Sequence, residues 1–276
     1  SGTAAEVTAA LVTTGSLVVA ANADVTITDT GSVAATVLSA IGAKTGGDVT
    51  CSGALTITGT TAEITDALVT SNSKVLASSA NVTFGDDPTA AQLALINTAA
   101  GGTITLNDVS QTFSGTAADV SAAFSGGLAG TQTGAVTISD TTGTIAATTL
   151  TGITAQTDGA VGMASGGPTI QGTTAEITAA LVTGGTRITA GAAKVDFTDN
   201  PTAAELSAIN AKTTGNITLH DDSQTFSGTA AEVSGAFSGG LQNTQTGAVT
   251  ITDTSGTIAA TVLSGIGGQT NGVLTA

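Results

Sequence analysis

Residues 3–11 read TAAEVTAAL, and the same string returns as TTAEITDAL at 60–68, TTAEITAAL at 173–181 and TAAEVSGAF at 229–237. With the fourth residue as anchor, the pattern falls at Glu6, Thr36, Glu63, Gln92, Asp119, Thr148, Glu176, Glu205, Glu232 and Thr261. Long and short steps alternate along this series, as Glu6 to Thr36 against Thr36 to Glu63, or Glu176 to Glu205 against Glu205 to Glu232. A longer identity lies on top. Positions 63, 92, 119 and 148 recur under one constant shift at 176, 205, 232 and 261, and all six phenylalanines obey the same shift, as Phe84/Phe197, Phe113/Phe226 and Phe124/Phe237. Duplication of a four-coil block accounts for this, and the alternation points to a coil pair as the structural unit.

Apolar residues stand one, four and five places after each anchor, as in Val7-Ala10-Leu11, Val37-Ala40-Ile41, Ile177-Ala180-Leu181 and Val233-Ala236-Phe237. That spacing makes one face of a helix, whereas strand alternation would scatter it. Thr3/Glu6, Thr60/Glu63, Thr173/Glu176, Thr202/Glu205 and Thr229/Glu232 have the spacing of capping boxes, in which hydroxyl and carboxylate satisfy orphan N–H groups at the helix start.

Two runs of alternating character follow each helix. One is read in Val49-Thr50-Cys51, Ile104-Thr105-Leu106, Val161-Gly162-Met163 and Ile217-Thr218-Leu219. The other is read in Val25-Thr26-Ile27-Thr28, Leu55-Thr56-Ile57, Val136-Thr137-Ile138 and Val249-Thr250-Ile251-Thr252. Both have the period of a half-buried strand and are bounded by Gly- and Asn-rich corners. The expectation is an α/β repeat solenoid of ten coils of about 28 residues, each a short capped helix plus two short strands. Equivalent strands would stack in parallel through right-handed crossovers. The domain would run over 1–276 as part of a longer array. One conflict is built in: parallel strands stack about 4.8 Å apart, whereas packed helices want about 8–10 Å. The array must curve, or some helical segments must be thin or irregular.

Composition narrows the function classes. Apolar residues make up 41% of the 276 and charged ones 9%, with no Trp or Tyr, so a core exists but is thin and spread out. The net charge of −15, with only Lys44, Lys74, Arg187, Lys194 and Lys212 as cations, repels nucleic-acid phosphates and anionic lipid. One cysteine rules out an intrachain disulfide or a thiolate metal cluster. No apolar run of membrane-spanning length exists.

Few residues offer chemistry. His220 lies in Leu219-His220-Asp221-Asp222, at the coil position of Asn107, a polar corner. Cys51 takes the place of Leu106, Met163 and Leu219, which predicts a buried, inert thiol. Aspartates mark the long corners, at Asp29, Asp86 and Asp87, Asp140, Asp199 and Asp253. Carboxylates stacked every second coil would lie about 10 Å apart, too far for one Ca²⁺ with its oxygens at about 2.3–2.6 Å. Asx turns or helix caps are the stronger expectation for them. Asp86, Asp87, Asp221 and Asp222 are the candidates for a local Ca²⁺. Outward T-x-T pairs at Thr26/Thr28, Thr56/Thr58 and Thr250/Thr252 offer a surface for ice, mineral or glycan. That ladder is broken at Thr83/Gly85, Thr169/Gln171 and Asp196/Thr198. No catalytic constellation is read, so no enzyme is expected.

The strings TAAEVTAAL, AATVLSAIGAKT (34–45) and AVTITDTSGTIAATVLSGI (248–266) resemble the Thr/Ala/Gly-rich repeats of giant cell-surface proteins of marine picocyanobacteria and similar bacteria. The resemblance implies an extracellular or cell-surface, array-forming segment of a very large protein and carries over no catalytic residue. Its partners would be neighbouring repeats or copies of itself.

Overall fold

The computed structural model describes residues 1–51, 55–164 and 166–276. They form two compact units, Ser1–Gly134 and Ala135–Ala276. The first contains helices α1 (Ala4–Leu11), α2 (Ala35–Gly42), α3 (Thr61–Leu68), α4 (Ala90–Ala99) and α5 (Ala117–Phe124). The second contains α6 (Ala147–Thr154), α7 (Thr174–Leu181), α8 (Ala203–Asn210), α9 (Ala230–Phe237) and α10 (Ala260–Gly267). Every anchor has its helix, and each helix is regular α rather than a thinned or irregular turn.

The starts of these helices follow from the capping chemistry. Complete boxes close α1, α3, α4, α7, α8 and α9, with Gln92 acting as the acceptor in α4. Thr116 caps α5 by accepting from the Asp119 N–H. Ala34, Ala146 and Ala259 stand at the same place before α2, α6 and α10 and make no side-chain cap. Packing must hold those three. In α2, Ala35, Leu38 and Ile41 are buried; in α6, Ala147, Leu150 and Ile153 are.

All strand pairing within the units is parallel. In the first unit, Val25–Ile27, Val49–Cys51 and Val75–Leu76 form one sheet. Ser32–Ala34, Thr56–Gly59, Asn81–Phe84 and Ile104–Thr105 form another. In the second unit the sheets are Val136–Ile138 with Val161–Met163 and Ile188–Thr189, and Thr144–Ala146 with Thr169–Gly172, Lys194–Phe197 and Ile217–Thr218. A third contains Phe226–Gly228, Val249–Ile251 and Leu274–Thr275. Identical positions stack into buried columns, such as Val33, Ile57, Val82 and Ile104, or Ile145, Ile170, Val195 and Ile217. Each such side chain contributes roughly 1.5–3 kcal/mol of transfer free energy. Phe113 meets Phe124 edge-on at 5.1 Å, and Phe226 meets Phe237 in the same way at 5.2 Å.

The partners differ from the sequence grouping in one respect. Val25–Ile27 and Val49–Cys51, read as members of different strand classes, are neighbours in one sheet, with Ile27 opposite Cys51. Ile104, grouped with Val49, instead pairs with Val82 in the other sheet. The cause is a mismatch of periods. Val25 pairs with Val49 and Val82 with Ile104, over shorter stretches of chain than separate the helix starts at Ala4, Ala35, Thr61, Ala90 and Ala117. The surplus slides each helix along the turn relative to the one before. After a short step the slide is small: Ala35 faces Gly59, two residues before α3. After a long step it is larger: Ala4 faces Asp29, six residues before α2, and Thr174 faces Asp199, four before α8. The offset thus alternates with the short and long steps between helix starts.

Candidate functional site

The residues that invite a functional reading lie at corners. Asp29, Asp86, Asp199 and Asp253 each reach across one turn to the start of the helix in the coil before. Asp86 Oδ1 accepts from the Thr61 N–H at 2.6 Å and from its hydroxyl at 2.7 Å, and Asp199 does the same for Thr174 at 2.6 Å for both. Asp29 accepts from the Ala4 N–H and Asp253 from the Ala230 N–H, both at 2.6 Å. The four N–H groups belong to the first helical residues of α3, α7, α1 and α9. They are among the donors that a helix leaves unsatisfied and that carry the positive end of its dipole. These helices therefore have two caps, a box of their own and a carboxylate lent by the next coil.

Asp87 is exposed, and its Oδ1 accepts from Asn107 Nδ2 at 3.4 Å. Asp221 Oδ1 accepts from the Ser223 N–H at 2.8 Å and hydroxyl at 2.6 Å, a local Asx turn that Asp108 and Ser110 repeat. These bonds from serine hold the Asp221 and Asp108 carboxyls below the usual range, with nearby His220 adding to the effect at Asp221. His220 itself is exposed.

Asp222 is one departure from the repeat. It replaces Val109, and Asn243 in the next coil replaces Gly130. Asn243 adopts φ 64°, the left-handed conformation that Gly130 adopts at 77°, and it donates Nδ2–H to Asp222 Oδ2 at 2.8 Å. The hydrogen bond compensates the conformational cost of a non-glycine residue there. Asp222 Oδ1 is buried without a protein hydrogen-bond partner. Of the Ca²⁺ candidates, then, Asp86 is committed to a helix, Asp87 to Asn107, Asp221 to a turn and Asp222 to Asn243. Among the described residues no three acidic, His or Cys side chains gather as a metal would require.

Cys51 is buried opposite Ile27. Burial, reinforced by the negative charge of Asp29, lifts its thiol to about 11. A thiol so raised stays protonated at neutral pH and is a poor nucleophile.

Open grooves occur at equivalent places in the two units. One of about 310 Å³ lies at the ends of α4 and α5, between Asn97, Thr98, Gly102 and Ser125, and one of about 520 Å³ at the ends of α8 and α9, between Asn210, Thr213, Thr214 and Ser238. Asn97 Nδ2 donates to the Ala122 carbonyl and Asn210 Nδ2 to that of Gly235, each at 2.9 Å. Hydroxyls, amides and backbone line them, with no acid, base or cation. They can hydrogen-bond a polar surface but cannot transfer a proton.

Sequence reasoning missed the inner corners. Thr45, Thr157, Thr213 and Thr270 are buried, and each hydroxyl accepts from the N–H two residues on. Thr45 and Thr213 also donate to carbonyls of the preceding coil, at Ala23 and Ala193. Gln111, Gln224 and Gln245 are buried as well. The recurring Thr-x-Gly of 45–47, 157–159, 213–215 and 270–272 was the available signal.

The outward threonines do not form one ladder. Thr26 stacks on Thr50 in one sheet, whereas Thr58, Thr83 and Thr105 form a column in another. In the second unit the corresponding column contains Ala146, Gln171, Asp196 and Thr218.

No family model, no curated protein and no solved structure matches this chain.

Proposed function

We propose that the chain is a structural repeat module, a stiff rod or spacer built as a right-handed solenoid within a large secreted or cell-surface bacterial protein. The observation that carries this reading is where the polar side chains go. Asp29, Asp86, Asp199 and Asp253 cap the helix of another coil, and Thr45 and Thr213 bind the carbonyls of another coil. Groups that an enzyme would aim at a substrate are here spent on holding one turn to the next. An acidic surface with few cations keeps such an array soluble. Neighbouring repeats, or further copies of the chain, are the partners this construction fits. Small-angle scattering of the dilute chain tests it: a pair-distance distribution with the long tail of a rod is expected, and a symmetric, globular distribution would sink the reading.

The in-register column Thr58–Thr83–Thr105 favours a second reading, a solenoid that binds ice, mineral or glycan through its threonines. Thermal hysteresis with shaped ice crystals would support the ice form of it. Ordinary freezing would leave the spacer reading in place.

A further inference from the structure

We infer that Asp158 is a modification site, where the chain forms isoaspartate through a succinimide, and that the Thr157 hydroxyl and the Arg187 guanidinium hold the reaction back in the folded state. Asp158 is the exposed middle residue of an inner corner, between Thr157 and Gly159, which are both buried. Packing dictates the glycine. At the equivalent Gly47 a Cβ would stand 2.6 Å from the Ala23 carbonyl oxygen, and at Gly215 it would collide with that of Ala193. The middle position is less constrained and holds Gly46 in one corner and Thr214 in another. With aspartate there, the obligatory glycine creates an Asp–Gly bond, and its side chain stays open to water at 59% exposure.

The chemistry needs only those two residues and water. The Gly159 nitrogen attacks Cγ of Asp158, and no Cβ on the glycine hinders its approach. An N–Cγ bond forms while the amide proton and a carboxyl hydroxyl leave as water, closing a five-membered imide. Water then adds to the imide. Opening at the Asp158 main-chain carbonyl leaves the backbone running through Cγ, with the carboxylate on Cα. The water lost is regained, so the net change is an isomerisation that adds one carbon to the chain path through the corner.

Two contacts oppose ring closure. The Gly159 N–H donates to Thr157 Oγ1 at 2.9 Å, as Gly47 and Gly215 do to their own threonines at 3.0 and 2.9 Å. The nitrogen must give up that bond, and its proton, to attack. Arg187 supplies the second restraint from the next coil. Its Nη2 donates to Asp158 Oδ1 at 2.6 Å and its Nη1 to the Thr157 carbonyl at 3.2 Å. The fork ties the carboxylate to the backbone before it, and ring closure must release it. Backbone pairing places the arginine: the Val161 N–H donates to the Arg187 carbonyl at 2.9 Å. Lys74 takes the same place in the first unit, accepting from the Val49 N–H at 2.7 Å, where the corner has Gly46 and no carboxylate to hold.

Ageing the full chain at neutral pH, with peptide mapping by electron-transfer fragmentation, tests this, because that fragmentation distinguishes isoaspartate from aspartate at unchanged mass. The urea-unfolded chain should accumulate isoaspartate at position 158, and the folded chain should do so more slowly by about tenfold. Arg187→Gln should speed the reaction in the folded chain by about two- to tenfold, the kinetic equivalent of one hydrogen bond. Thr157→Val should do the same. Since Thr157 is buried, its loss also loosens the fold; Arg187→Gln touches only an exposed pair, and its unchanged urea midpoint separates a lost restraint from unfolding. No isoaspartate at 158 in the unfolded chain, a folded chain that reacts as fast as the unfolded one, or an Arg187→Gln variant that ages at the parent rate would overturn the inference.

Discussion

Asp199 shows what a single carboxylate does in this architecture. It serves the N–H and hydroxyl of Thr174, at the first position of the helix one coil back. Asp199→Ala should therefore cost about 1–2 kcal/mol, the range for losing a helix cap. Asp199→Asn, which keeps an acceptor oxygen but no charge, should lose less. Urea titration of the two variants measures both. If Asp199→Ala unfolded at the parent midpoint, the cross-coil cap would have no energetic weight. A pH dependence adds to this. Glu6 is held below its ordinary value by the N–H and hydroxyl of Thr3, and Asp108 and Asp221 are held down by Ser110 and Ser223. Groups depressed in this way stabilise the fold above their ordinary range, and that contribution is lost as pH falls through their lowered values. Stability should then hold at neutral pH and fall on the acid side of the carboxylate range.

At the scale of the element, helices and strands differ in how far the sequence revealed them. The helices were legible because their determinants are local. Thr60 and Glu63, three apart, make the cap, and Ile64, Ala67 and Leu68 make the face. The strand partners were less so. Val82 finds Ile104 over a shorter stretch of chain than carries α3, starting at Thr61, to α4, starting at Ala90. Aligning the helices thus put Ile104 in the wrong sheet, and no local signal reports the drift. The role of Asp86 was expected as a cap, but not that its helix would be the one in the previous coil, since contacts across a turn follow register rather than neighbourhood. Glycines separate two cases of local and non-local constraint. Gly215 sits on an inner corner, where a Cβ would collide with the carbonyl oxygens of Ala192 and Ala193 in the preceding coil. Gly152 sits inside α6 with nothing within 4 Å of that position. Gly215→Ala should destabilise by about 1–3 kcal/mol through overpacking. Gly152→Ala should stabilise by about 0.5–1 kcal/mol by removing backbone freedom from the unfolded chain. Thermal denaturation of the pair is the check, and equal effects would mean that the close stacking of corners is not what fixes Gly215.

For the molecule as a whole, charge sets the last constraint. A net charge of −15, with five cations against 20 acidic residues, leaves most carboxylates without a cation to pair with. The one ion pair among the described residues, Arg187 with Asp158 at 2.6 Å, is solvent-exposed and worth at most about 1 kcal/mol. Repulsion between carboxylates acts over roughly the Debye length, about 10 Å at 0.1 M salt and about 3 Å at 1 M. Turns stacked about 4.8 Å apart fall inside that range at low salt. Added NaCl should therefore raise the unfolding midpoint, most steeply at low concentration. Divalent ions separate screening from binding. Asp86, Asp87 and Asp221 each accept hydrogen bonds from the protein through Oδ1, which compete with a cation there. Asp222 keeps a buried oxygen without a protein partner, and one carboxylate falls well short of the roughly six to eight oxygens that Ca²⁺ takes. CaCl₂ and MgCl₂ at equal ionic strength should then raise the midpoint equally. A larger rise with Ca²⁺ would locate a cation site on the chain, and its loss in Asp222→Asn would place that site at the corner that holds Asp222 and Asn243.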